Sequence, residues 1–204
     1  MAFPEFFAQA PRVLVHDALA QFLGAADDGL IEYGYPDAVR LAGHSCPTVA
    51  GAWLMARAAL RALYPDAPAE RGEIEVAMSA PEAEGTTGVV AQVFTLLTGA
   101  AADNGFHGIA GRFARSGLLS FGHSDASGIA RFRRRDSGAA VRVAMDLSSI
   151  TPAPQMRESM GRALAPDASV FERDAFSSAW QDRVRRLLLD HADDANVIRV
   201  ALAA

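Results

Sequence analysis

Apolar positions along the chain alternate between helical and strand periodicities, and that alternation sets out the expected elements. Residues 3–22 carry Phe6, Phe7, Val13, Leu14, Ala18 and Phe22, which reads as one helix stopped at Gly24. Residues 30–33 form a short strand candidate, and 35–42 a helical turn. From Pro47 the positions Val49, Ala50, Trp53, Leu54, Ala58, Leu60 and Leu63 repeat at helical spacing until Pro65, predicting a long helix over 47–64. The stretch 72–78, GEIEVAM, alternates as a strand does, and 85–97 is apolar enough for a buried helix.

Further strands are expected at 108–113, 118–121, 129–134 and 140–146, then helices near 154–164 and 173–192, and a last strand at 197–202. The pair 129–134 and 140–146 reads as a hairpin around the turn residues Asp136-Ser137-Gly138, with the arginines of 131–135 on a solvated face. Strands flanked by separated helices, without a regular strand-helix-strand rhythm, predict an α+β fold with a mixed or antiparallel sheet packed against several helices. Neither repeats nor low-complexity tracts appear. The Pro-bearing TPAP at 151–154 is the natural boundary between a core of 1–150 and a C-terminal helical extension with a final strand, 151–204, packed on that core.

Composition narrows the partners. At 204 residues and 50% apolar the chain can bury a sizeable core. A formal charge of −5 lacks the basic field that general binding to nucleic acid or anionic membrane requires. No segment approaches the length of a membrane span, and the start of the chain does not read as a signal peptide, so a cytoplasmic protein is expected. One cysteine excludes an intrachain disulfide.

That cysteine stands in the most informative segment, Gly43-His44-Ser45-Cys46-Pro47. Pro47 suits the first position of a helix, which puts Cys46 at the N-cap among unpaired backbone N–H groups, a setting that serves a nucleophile or a metal ligand. In an extended backbone residues i and i+2 project to one side, so His44 and Cys46 can converge. Three other histidines have a claim. His107 sits in a glycine-flanked turn, Asp103-Asn104-Gly105-Phe106-His107-Gly108, and is the preferred third ligand. His16 lies near the apolar stripe of the first segment, where it is either a ligand or a hydrogen-bonded core residue. His123 is a turn candidate, whereas His191 most simply complements a helix C-terminus. The segment 81–88, PEAEGTTG, places carboxylates before a helix, with capping as its simplest role and Glu84 as the better candidate ligand or general base. Its glycines match neither a phosphate-binding loop nor a dinucleotide fingerprint.

The segment 41–52, LAGHSCPTVAGA, resembles the Gly-His-x-Cys-Pro motif of the FmdE family, named for the E component of formylmethanofuran dehydrogenase. The similarity runs from about Tyr33 to Ser120 and is most specific over 43–51. It implies an α+β core, a metal-associated site that includes His44 and Cys46, and pairing into a homodimer. Two features depart from that family. The further cysteine common after the second core strand's helix is missing from Leu97-Thr98-Gly99-Ala100-Ala101, and a single cysteine cannot build the C-terminal zinc finger that many relatives carry. The site would therefore be mixed in ligand type.

A set of His44, Cys46 and His107, with His16 in reserve, suits a borderline or soft divalent ion: zinc first, with nickel, copper or iron also served by nitrogen and sulfur. Three protein ligands leave a position for water, a small molecule or a metal cofactor to be handed on. Two other readings stand beside this one. In the first, Cys46 is a metal-free nucleophile with His107 as the better base, since i and i+2 neighbours are awkward for a direct Cys–His hydrogen bond. In the second, the motif only organises a helix start in a non-catalytic assembly subunit.

Overall fold

In a computed structural model, which describes residues 3–123 and 128–203, the chain folds as two sheets around one central helix. The α+β class is as expected. The strands are β1 (Val13–His16), β2 (Leu30–Tyr33), β3 (Ala69–Glu70), β4 (Ile74–Met78), β5 (Leu119–Ser120), β6 (Ala130–Arg134), β7 (Ala140–Met145) and β8 (Ile198–Ala203). The helices are α1 (Ala18–Phe22), α2 (Tyr35–Ala42), α3 (Pro47–Leu63), α4 (Thr87–Thr98), α5 (Met156–Ala163) and α6 (Val170–Arg185), the last running into a π-turn at Arg186–Asp190. A small sheet has the order β2-β1-β3 and a larger mixed sheet the order β5-β4-β6-β7-β8. The β6–β7 hairpin forms as expected, with Arg131 opposite Arg142 and Phe132 opposite Val141.

The first twenty residues overturn the single-helix expectation. They form a 3-10 turn at Glu5–Gln9, then β1, then the short α1. Pro11 is the physical reason: it offers no N–H to a helix and holds the residue before it extended, as the φ of −60° and ψ of 145° at Ala10 show. Beyond it Val13 and Val15 are buried while Leu14 is exposed, a two-residue period. Asp17 then opens α1, accepting the backbone N–H groups of Leu19 and Ala20.

The expected strand at 108–113 is likewise absent. Ile109 and Arg112 form an isolated bridge around a tight turn, with Ala110 and Phe113 at positive φ. The segment is instead fastened by Arg115, which reaches across to the buried Asp17 at 2.7 Å, while Arg71 pairs with the other oxygen of Asp17 at 2.8 Å.

Helix α3 is the centre of the core. Val49, Ala50, Ala52, Trp53, Met55, Ala56 and Ala59 are all fully buried, so the helix is covered on nearly every side. Its close approach to the large sheet depends on Gly51, where a Cβ would overlap the Met145 sulfur on β7. The segment beyond residue 150 is integrated with that core, since β8 extends the large sheet along β7 and Val184, Leu187 and Leu188 are buried.

Candidate functional site

Helix α2 ends at Gly43, whose φ of 73° turns the chain out of the helix. The next three residues are the His-Ser-Cys segment, and Cys46 is extended, with φ −150° and ψ 167°, as the N-cap of α3. Pro47 follows in the first turn, as expected. The sulfur of Cys46 accepts the N–H of Val49 at 3.4 Å, taking the place of a capping oxygen.

His44 and Cys46 converge. The Nε2 of His44 lies 3.4 Å from Sγ of Cys46, and its Nδ1 lies 2.9 Å from the Ala42 carbonyl oxygen. A carbonyl can only accept, so Nδ1 carries the proton and, in the neutral ring, the lone pair of Nε2 faces the sulfur. The direct contact between i and i+2 neighbours corrects the expectation that it would be awkward. An extended backbone at Cys46 is what permits it. The pair sits on a boundary: the cysteine is buried and the imidazole exposed.

Residue 45, between them, is clamped from two sides. The Tyr35 hydroxyl is 2.9 Å from Oγ of Ser45, and that Oγ donates to Oε1 of Gln181 at 3.1 Å. The Ser45 carbonyl accepts the indole N–H of Trp180 at 3.0 Å and Nε2 of Gln181 at 3.1 Å. Burial pushes the Tyr35 phenol well above its ordinary range, partly opposed by its hydrogen bond to Ser45, so it stays protonated throughout the physiological range. Sequence patterns do not single out Tyr35, Ser45, Trp180 or Gln181. For the last two the only signal is a helical pattern, which says nothing of the contact partner.

The other expected site residues lie in different surroundings. His16 is on β1 rather than in a helix, and its Nδ1 is 2.7 Å from the Glu70 carboxylate on β3. The hydrogen bond to Glu70 raises its pKa, against a smaller opposing effect of burial. His107 is exposed in the loop between α4 and β5, next to Gly108 with φ 94°. Glu84 is exposed in the turn before α4, and its backbone carbonyl accepts the Thr87 N–H; Thr86, the N-cap, makes no side-chain cap. His123 contacts Oγ of Ser120 at 2.8 Å, and the Ser124-Asp125 that follow it lie outside the described residues. His191 pairs with Asp194 at 2.9 Å beyond the π-turn.

Among the described residues, no group of three or more His, Cys, Asp and Glu side chains is gathered as a metal would require. His107 and His16 therefore do not join His44 and Cys46. The two that do meet have suitable chemistry: one imidazole nitrogen and one sulfur, with the far ring nitrogen tied to a backbone carbonyl, which is how ligating histidines are commonly oriented. Their separation of 3.4 Å is also close to the edge of about 3.5 Å that zinc-to-sulfur and zinc-to-nitrogen distances give in a tetrahedron.

No described helix is long and apolar enough to cross a membrane. No family model matches the chain, and no curated protein matches it. Among solved structures, the chain is similar to an FmdE-like protein of tungsten formylmethanofuran dehydrogenase type from Syntrophus aciditrophicus. The two share 14% sequence identity and superpose with a TM-score of 0.44, over 84% of this chain and 72% of that one.

Proposed function

We propose that this protein binds a transition-metal ion through Nε2 of His44 and Sγ of Cys46, zinc first among the candidates and nickel, copper or iron next. The observation that carries this reading is the 3.4 Å approach of the two donor atoms, with Nδ1 of His44 fixed by Ala42 so that the other nitrogen presents its lone pair. Two ligands from one chain leave the remaining positions to water, a small molecule, a metal cofactor or a second chain. An ion held in that way supplies Lewis-acid chemistry or can be passed on. The residues of this chain have separate duties in that scheme: Cys46 and His44 hold, Val49 and Ala42 orient them, and the Tyr35–Ser45–Gln181 clamp keeps the segment from collapsing.

A second reading uses the same pair without metal. The Nε2–Sγ contact makes His44, rather than His107, the base for a nucleophilic Cys46, with Ala42 as the group that orients the base. In that case S–H gives its proton to Nε2 and the sulfur attacks an electrophile.

Elemental analysis per chain decides between them, on untagged wild type, Cys46→Ala and His44→Ala after dialysis against metal-free buffer. Near-stoichiometric metal in the wild type that is lost in both variants is the expected result. Equal metal in wild type and Cys46→Ala overturns the metal reading. Negligible metal in all three does so too, and turns the question to whether His44→Ala slows alkylation of Cys46.

A further inference from the structure

Strand β8 ends the large sheet, hydrogen-bonded to β7 on one side and to no strand on the other among the described residues. Its pairing with β7 runs without a bulge from Met145 opposite Ile198 to Ala140 opposite Ala203. The Asp146 N–H donates to the Val197 carbonyl. By antiparallel alternation, Arg199, Ala201 and Ala203 then turn their backbone groups to β7, and Ile198, Val200 and Leu202 turn theirs outward. The Ile198 N–H conforms, donating to Asp194 rather than to β7.

The side chains of those outward residues carry the second observation. Directly opposed residues share a face of the sheet. Val143 and Val141 on β7 are 0% and 1% exposed, yet their partners Val200 and Leu202 are 37% and 89% exposed. The apolar layer between the sheet and α3 thus runs off the edge of the sheet and is left uncovered there.

Exposed edges invite strand addition, and folded proteins usually blunt them. The other edges here are blunted: β3 and β5 are two residues long, and β2 carries Glu32, paired with Arg12 at 2.5 Å. Strand β8 is six residues long and holds no Pro or Lys, and its one charge, Arg199, lies on the opposite face, 3.6 Å from Asp146. The sequence IRVALA is moreover symmetric about Val200 in the property that matters, with an apolar side chain two residues to either side.

We infer that β8 is a strand-addition surface for a second copy of this chain, the two β8 strands pairing antiparallel about a two-fold axis at Val200. In that register Val200 faces Val200 of the second copy, and Ile198 faces its Leu202. All the outward backbone groups then lie opposite outward backbone groups. Each Arg199 faces an Ala201, so no like charges meet. Both copies keep the same face toward their helices, which brings the uncovered Val200 and Leu202 side chains of the two chains into one patch. An isologous contact of this kind closes after two chains, joins the two sheets into one and leaves no edge for a third. A partner of other sequence would have no need of that symmetry.

The test is the mass of the chain in solution, by sedimentation equilibrium or light scattering from about 1 to 200 µM, the range expected of an interface smaller than the standard size. Wild type is compared with Leu202→Lys, which alters an exposed side chain, and with Val200→Pro, which removes an outward N–H and leaves the β7 ladder intact. The expected result is a wild-type dimer whose dissociation constant rises at least about tenfold in each variant. Amide exchange at Val200 and Leu202 should be slowed in the wild-type dimer and restored in Leu202→Lys. A wild type that is monomeric across the range overturns the inference. So does a dimer that neither substitution weakens, since its interface would then lie elsewhere, as on the exposed Leu164, Val170 and Phe171 of the α5–α6 pair.

Discussion

The indole N–H of Trp180 donates to the carbonyl of Ser45 at 3.0 Å, which places a side chain of α6 against the one residue that separates His44 from Cys46. The C-terminal segment therefore helps to hold the His-Ser-Cys turn. Gln181 doubles the clamp by donating to the same carbonyl and accepting from the Ser45 hydroxyl.

Trp180→Phe keeps most of the ring and removes the hydrogen bond, which should cost about 1 kcal/mol and lower the Tm by about 2–4 °C. Because the lost bond lies beside Cys46, the same variant should alkylate faster at that thiol than wild type does. Thermal unfolding and the rate of iodoacetamide labelling check the two halves separately. A stability loss with an unchanged labelling rate would mean that the clamp acts on α6 alone.

Cys46 has two jobs, capping α3 and pairing with His44, and Ser separates them. An oxygen at this N-cap accepts the Val49 N–H at least as well as sulfur does, so Cys46→Ser should unfold within about 0.5 kcal/mol of wild type. Cys46→Ala, which caps nothing, should lose about 0.5–2 kcal/mol. On the metal reading both variants lose the ion. Denaturant unfolding beside elemental analysis tells a structural cysteine from a functional one.

The parts of this molecule that are legible in its sequence are those set by neighbours in the chain. Helix α3 follows from apolar spacing and Pro47, and the β6–β7 hairpin from alternation and Asp136-Ser137-Gly138. The meeting of His44 with Cys46 is legible too, because two residues of extended chain suffice for it. Over 3–22 the helical spacing of the phenylalanines misleads, and Pro11 with the Val13–Val15 alternation decides the structure instead. What is not legible depends on long-range contact. Arg115 meets Asp17 across 98 residues and Trp180 meets Ser45 across 135, and nothing local marks either pair. The same holds for the fate of the histidines: His16 looks like a ligand candidate until Glu70 arrives on the neighbouring strand.

Asp17 gives the fold an acid limit. Burial raises its pKa, but the hydrogen bonds from Arg71 and the Ala20 N–H and the charges of Arg115 and Arg71 outweigh that and hold it below the ordinary carboxylate range. A depressed folded-state pKa contributes stability that is present above the unfolded value and lost as pH falls through the folded one. Stability should therefore decline below about pH 4, and Asp17→Asn should flatten part of that decline while lowering stability at pH 7. Removing the carboxylate's partner instead, by Arg115→Met, leaves Asp17 with Arg71 alone and should cost about 3 kcal/mol or more. Urea unfolding at pH 3 to 7 is the measurement.

His16 works in the opposite direction. Its pKa is raised, chiefly by the hydrogen bond to Glu70, so its contribution is present below the unfolded value of about 6.5 and lost as pH rises through the folded one. The pair is partly exposed, so solvent screens it and the effect on stability is small. An NMR titration of the ring should give a midpoint above 6.5 that returns toward it in Glu70→Gln. An unshifted midpoint in the wild type would mean that the 2.7 Å contact does not persist in solution.

Gly51 sets how closely α3 approaches β7, and it does so against one side chain. A Cβ added there would overlap the sulfur of Met145 and lie 2.9 Å from its terminal methyl carbon, while no backbone atom is among its nearest neighbours. Two effects then compete in Gly51→Ala. Alanine favours the helix by about 1 kcal/mol over glycine, whereas overpacking a buried site costs about 1–3 kcal/mol. With Met145 in place the clash should prevail and the variant should be less stable by about 1 kcal/mol, softened by the flexibility of the methionine. In a Met145→Ala background the obstacle is gone, and Gly51→Ala should become neutral or stabilising by up to about 1 kcal/mol. The double-mutant cycle reads the coupling directly. Equal effects in the two backgrounds would mean that the small residue at position 51 serves some purpose other than room for Met145.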